Sequence, residues 1–264
     1  MRIVIGLEYD GSTFTGWQSQ PHGNTVQDVL EHALSQVADS RIRTVCAGRT
    51  DTGVHALAQV AHFDTQARRP LSAWVRGVNA LLPPTVAIHW AAPVAGDFHA
   101  RFSAVSRRYR YLLLNRPVRP ALQSGRAGWF HRPLDVAAMT DGARHLLGEH
   151  DFTAFRAAQC QAKSPIRVLQ RASVSRHDEF VVLEFQANAF LHHMVRNLVG
   201  ALVYVGQGKH PPAWIGQLLA GRDRARAAPT FDAAGLYFLG ADYDAGWGLP
   251  LDAIGAPRPV MMGC

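Results

Sequence analysis

The sequence predicts an α+β fold built from two tandem ferredoxin-like halves, each running β-α-β-β-α-β, with antiparallel or mixed sheets and helices packed on one side. Three observations carry this. Short runs rich in β-branched and aromatic residues alternate with stretches of helical periodicity. The same order of six elements occurs twice. The 264 residues are 48% hydrophobic and 18% charged, enough apolar material for a sizeable core.

In the first half, residues 2–9 form a strand, and Gly11 to Gly23 a loop holding Trp17 and Pro21. Thr25 then caps a helix over Val26–Val37, with Val26, Leu30, Ala33 and Val37 on one face. Strands follow at 42–47 and 57–64, joined by Gly48–Ala56. A helix over Leu71–Leu82 stops at Pro83-Pro84, and Thr85–Trp90 is the fourth strand.

The second half opens with a strand over Ser106–Leu114 and a helix over Leu134–Leu147, whose apolar side is Val136, Met139, Ala143 and Leu146. Strands at 168–175 and 180–187 make a hairpin about His177-Asp178. A helix follows over Phe190–Val205, a short extra helix over Trp214–Leu219, and a last strand over Leu236–Ala241. The boundary falls near residue 104, giving domains 1–104 and 105–264. The Pro- and Gly-rich tail after about residue 247 is expected to be poorly ordered.

Charge and cysteine usage narrow the function classes. Lys and Arg number 27 against 20 Asp and Glu, a net charge of +7. All but Lys163 and Lys209 of those cations are Arg, whose planar fork pairs with phosphate and stacks on bases. A polyanionic partner is implied. The clusters Arg101–Arg119 and Arg222–Arg226 interleave with Phe102, Tyr109, Tyr111 and Trp129, the composition of a surface that follows a nucleic-acid backbone. Cys46, Cys160 and Cys264 are far apart, so neither a disulfide framework nor a zinc ribbon is supported. The apolar start breaks at Glu8, too early for a signal peptide, and no window reads as a membrane span; a cytoplasmic location is the default expectation.

The chemistry concentrates in one segment, Ala47-Gly48-Arg49-Thr50-Asp51-Thr52-Gly53-Val54-His55-Ala56, the catalytic loop of the first half. Two glycines permit tight backbone geometry around Asp51. In extended backbone Arg49 and Asp51 share a side, and a neighbouring guanidinium holds a carboxylate ionised and oriented, the state a nucleophile needs. The same residues also suit an ordinary surface turn with a local ion pair.

Gly48-Arg49-Thr50-Asp51-x-Gly53-Val54-His55-Ala56 resembles the signature of the TruA family of tRNA pseudouridine synthases. Further segments resemble the same family in order along residues 3–243. They are Glu8-Tyr9-Asp10-Gly11 with Gly16-Trp17-Gln18; Asp97-Phe98-His99-Ala100-Arg101-Phe102-Ser103; Arg108-Tyr109-Arg110-Tyr111; Asp151-Phe152-Thr153; Ala187-Asn188-Ala189-Phe190 with His192-His193-Met194-Val195-Arg196-Asn197; and Gly235-Leu236-Tyr237. Thr52 fills a slot more often taken by another residue, without consequence for chemistry.

The resemblance implies isomerisation of uridine to pseudouridine at positions 38, 39 and 40 of the tRNA anticodon arm, by a homodimer that uses no metal or cofactor. It implies Asp51 as nucleophile, Arg49 in contact with it and the RNA, and Tyr109 packed on the target base. The catalytic cleft is expected between the two halves. Arg196 has three open readings, a partner for Asp51, a phosphate contact or a member of a structural ion pair, and is placed with His192 on one helix face by their i, i+4 spacing. Leu236 is expected as an apolar wall that excludes water.

The chemistry agrees. Forming pseudouridine breaks C1′–N1, turns the uracil and joins C5 to C1′. Uracil is a tolerable anionic leaving group that never departs, so one carboxylate suffices where glycoside hydrolysis usually uses two. Attack at ribose C1′ and at uracil C6 both remain open. A paired base must first be extruded, at a few kcal/mol, which stacking on an aromatic ring offsets by roughly 1–3 kcal/mol.

Rival readings explain fewer of these residues. A non-catalytic RNA-binding module explains the charge but not the Arg49–Asp51 loop. Asp51-Thr52-Gly53 is the tripeptide of aspartic proteases, whose paired carboxylates share a proton, and Arg49 would spoil that sharing. Gly206-Gln207-Gly208-Lys209 hints at a phosphate loop but lacks the following Ser or Thr. His192 and His193, adjacent on the expected helix, would point different ways, and no zinc-ligand spacing occurs.

Overall fold

A computed structural model describes residues 1–251 of the chain. It is a mixed α+β protein that divides into two units, Met1–Val105 with the chain from Phe238 onward, and Ser106–Tyr237. The division falls inside the last strand, which begins in the second unit and ends in the first.

In the first unit, β1 (Arg2–Tyr9) lies between β3 (His55–Asp64) and β4 (Val86–Val94), antiparallel to both. The two-residue β2 (Val45–Cys46) and the last strand β10 (Leu236–Tyr243) also lie beside β3. Helix α1 (Val26–Ala38) starts where Thr25 accepts a hydrogen bond from the Asp28 N–H, the expected cap. It buries Val26, Leu30, Ala33 and Leu34. Pro93 is tolerated in β4 because that strand is an edge.

The second strand is far shorter than the predicted 42–47. Its backbone donors go elsewhere: Ile42 N–H to Ser35 Oγ at 2.9 Å and Thr44 N–H to Glu31 Oε1 at 2.8 Å. Buried Glu31 of α1 thereby ties down the chain just before the Asp51 loop. The segment predicted as a helix over Leu71–Leu82 holds a π-helical stretch over Ala73–Gly77, where Trp74 is fully buried edge-on to Phe63.

In the second unit, β5 (Ala104–Asn115), β9 (Phe180–Ala187), β8 (Ile166–His177) and β7 (Gly148–Asp151) follow one another across the sheet, and β6 (Gly128–Phe130) runs parallel to the end of β5. Strands β6 and β7 are too short to show periodicity, and β7 is also polar. The hairpin turns as predicted, with Asp178 at φ 51°. Helix α2 (Val136–Arg144), capped by Asp135, packs on β8 and on α3 (Met194–Gly206). Helix α4 (Trp214–Gly221) follows. Helix α3 is buried nearly all round, and Gly200 lets the Pro229 carbonyl approach: a Cβ there would lie 2.4 Å from it.

Helix α3 starts at Met194, not at Phe190. His193 takes a left-handed conformation (φ 61°), which a continuing right-handed helix cannot contain. His192 therefore does not share a helix face with Arg196. Nor do the two histidines diverge: their rings lie 4.0 Å apart, because both sit in the turn before the helix. The expected poorly ordered tail lies, from residue 252 on, outside the described residues.

Candidate active site

The loop carrying Asp51 leaves β2 at Cys46 and rejoins the sheet at His55. Its geometry is set mostly by backbone hydrogen bonds to two other segments of the same unit. Ala47 N–H donates to the Val60 carbonyl at 2.8 Å, and the Gln59 amide donates to the Gly48 carbonyl at 2.7 Å. On the other side, Trp17 N–H donates to the Thr50 carbonyl at 3.0 Å and Gly53 N–H to the Phe14 carbonyl at 3.3 Å. Val54 N–H closes the turn onto the Asp51 carbonyl at 3.1 Å. Asp51 is thus bracketed on both sides by pinned neighbours.

Two glycines make this close approach possible. Gly16 has φ +95°, and a Cβ there would sit 2.8 Å from the Thr50 carbonyl oxygen. A Cβ on Gly11 would sit 2.0 Å from the Val54 carbonyl oxygen. The Gly11 N–H in turn donates to His55 Nδ1 at 3.1 Å, which fixes the end of the loop. Gly53, at φ +77°, makes the turn.

Beneath the loop, the Tyr9 hydroxyl meets Thr50 Oγ1 at 2.8 Å and accepts from Gln59 at 3.3 Å. Burial pushes the Tyr9 phenol well above its ordinary range, so it remains a neutral hydrogen-bonding group. Burial likewise pushes the Cys46 thiol up to about 12. Cys46 therefore stays a thiol and does not compete as nucleophile.

Asp51 itself is half-buried, Thr50 before it is buried and Thr52 after it exposed. Arg49 is exposed. Anchoring of the backbone on both sides holds the loop.

The other predicted residues lie in the second unit. Tyr109, in β5 opposite Phe185, is 9% exposed and packs edge-to-face on Phe190 with centroids 5.0 Å apart. Its neighbour Arg110 is on the other side of the strand, where Glu184 holds it with 3.0 and 2.7 Å hydrogen bonds. Arg196 is half-buried on α3; its Nε donates to the Phe231 carbonyl at 2.8 Å, and its own carbonyl accepts from the Phe231 N–H at 3.2 Å. Leu236 is buried at the start of β10. It follows Gly235, whose carbonyl accepts from Leu112 N–H at 2.8 Å and where a Cβ would strike that strand.

Residue reasoning missed the supports Tyr9, Gln59, Phe14 and His55, although Tyr9-Asp10-Gly11 and Gly16-Trp17 drew notice as motifs. The available signal was two glycines flanking a short loop just after a strand, a pattern that marks close backbone approach.

Known proteins resemble the chain along nearly its whole length. The family described as tRNA pseudouridine synthase matches residues 7–103 and 143–244. The chain is 61% identical over 250 residues to a tRNA pseudouridine synthase A of Dechloromonas aromatica, covering 95% of each. It is 61% identical over 250 residues to one of Aromatoleum aromaticum, again 95% of each chain. With that of Methylobacillus flagellatus it shares 56% over 263 residues, 100% of this chain and 99% of the other. Among the described residues no helix is long and apolar enough to cross a membrane.

Proposed function

The chain belongs to the tRNA pseudouridine synthase family and isomerises uridine to pseudouridine in tRNA, and from that premise we propose that Asp51 is the nucleophile. The observation that carries the assignment is a half-buried carboxylate at the apex of a loop whose backbone is anchored on both sides. Such preorganisation sets the reacting atom in place before substrate arrives.

The target uridine is extruded from the stack, and the Asp51 carboxylate adds either to ribose C1′ or to uracil C6. The C1′–N1 bond breaks with its electron pair left on the uracil. The ring turns within the site, C5 bonds to C1′, the carboxylate is released, and the C5 proton leaves for N1. Uracil begins and ends on the same ribose, so atoms balance without water, metal or cofactor.

Arg49 is proposed to contact the RNA, Tyr109 to pack on the target base, Arg196 to bind RNA phosphate, and Leu236 to exclude water. Half-buried Arg196 is held by its Nε hydrogen bond to the Phe231 carbonyl, and the planar fork of a guanidinium matches phosphate oxygens. Two tandem ferredoxin-like halves are proposed from the order of strands and helices in the sequence. The substrate positions proposed are 38, 39 and 40 of the anticodon arm, and the working form a homodimer.

The test is incubation of the protein with an unmodified tRNA transcript, with and without chelator, followed by mapping of pseudouridine. Product confined to positions 38–40 in both samples supports the reading; product elsewhere, or loss in chelator restored by one metal, overturns it.

A further inference from the structure

One aromatic ring in the first unit is held outside every core. Phe102 is 75% exposed, yet it is not loose. Its ring stacks on the His99 imidazole with centroids 4.3 Å apart and planes at 29°. The Arg101 guanidinium lies over the same ring, 5.5 Å from its centroid.

The imidazole behind it is fixed in turn. His99 Nδ1 accepts from the N–H groups of Arg101 and Phe102, both at 3.2 Å. His99 N–H donates to Ser103 Oγ at 3.0 Å, and Ser103 N–H to the His99 carbonyl at 2.8 Å. Desolvation holds His99 below its usual range, so at neutral pH it backs the ring as an uncharged π surface.

The assembly is joined to the strand that feeds the Asp51 loop. The His62 ring lies 5.0 Å from His99 and its Nδ1 accepts from Ala100 N–H at 3.1 Å. His62 pairs in register with Val45 of β2. Arg49 and Arg101 both act electrostatically on buried Cys46, the next residue of that strand. Two guanidiniums and an exposed, preoriented ring therefore sit about the root of the catalytic loop.

We propose that Phe102, backed by His99 and flanked by Arg101, is a stacking platform for an unpaired base of the tRNA substrate, separate from the uridine being isomerised. This rests on the tRNA reading above. Every base has a π face, so such a platform holds RNA without selecting a sequence, and Arg101 supplies both cation and phosphate donor. A second copy of this chain is the less favoured occupant. A two-fold contact brings each patch against itself and would oppose the two Arg101 side chains.

The test uses Asp51→Asn protein, so that no product forms, and an unmodified tRNA transcript. Phe102→Ala is expected to weaken binding about tenfold, the scale of one lost base stack, while Phe102→Trp keeps affinity within about twofold. The emission added by Phe102→Trp is expected to quench as tRNA is titrated, and light scattering to give one mass for all three proteins. Unchanged affinity in Phe102→Ala overturns the proposal. So does a fall in mass accompanying weaker binding, which makes the patch a self-association face. Absence of pseudouridine with the unsubstituted protein strikes the functional reading instead, and leaves the binding result interpretable.

Discussion

The hydroxyl oxygen of Tyr9 lies 2.8 Å from that of Thr50, the residue immediately before Asp51. Both groups are buried, so the loop that carries Asp51 rests on a hydrogen bond protected from water. Tyr9→Phe removes that partner and leaves the Thr50 hydroxyl desolvated, at about 1–3 kcal/mol. Urea unfolding should show this loss. The rate of pseudouridine formation should fall between about tenfold and a hundredfold, the usual cost of a small misplacement. An unchanged rate would mean that the loop is held without Tyr9.

Gly16→Ala should damage activity more than its size suggests. The residue sits at φ +95° and its new methyl would lie 2.8 Å from the Thr50 carbonyl. Backbone strain of about 1–3 kcal/mol adds to displacement of the loop. The expected result is a lower melting temperature together with slower turnover, while tRNA affinity stays within about threefold by filter binding.

Asp51→Asn keeps the side-chain shape and removes the carboxylate proposed as nucleophile. Pseudouridine formation should drop by at least about 10⁴-fold, with tRNA affinity within about twofold, because phosphate contacts dominate binding. A variant that still modifies the transcript would assign the chemistry to another group.

His62 should make stability depend on pH. Burial lowers its imidazole to about 4 from the ordinary 6.5, so the folded protein resists a proton that the unfolded chain accepts. The stabilisation is complete above about pH 6.5 and is lost as pH falls toward 4, on the order of 2–3 kcal/mol in all. His62→Asn retains an acceptor for the Ala100 N–H and cannot titrate. Denaturant midpoints measured between pH 7 and 4 should converge for the two proteins as pH drops; parallel curves would remove His62 from the account.

Much of this could be read from residues alone. The Thr25 cap, the apolar stripe of α1 and the His177-Asp178 turn are local, and local chemistry fixed them. Strand β2 was overestimated because Glu31 and Ser35, more than ten and seven residues upstream of their targets, take the donors that a strand would use. Helix α3 was started too early because the left-handed turn at His193 has no marker in a non-glycine residue. Asp51 stood out by its flanking glycines. Its real supports, Tyr9, Gln59 and the Phe14 carbonyl, come from segments distant in sequence and were hidden for that reason.

The strand β10 closes the account of how this chain is made. It takes its place beside β3 in the unit that holds Asp51, yet it begins at residue 236. A ribosome exposes the Asp51 loop early, but the sheet beneath it stays unfinished until Leu236 and the residues that follow it in the strand have been made. Through that interval the nascent β3 has only the two residues of β2 on its open side, and unpaired edges of this kind invite association between chains. A premature stop between Ala56 and Leu236 would spare every residue of the Asp51 loop and still leave it on an incomplete floor.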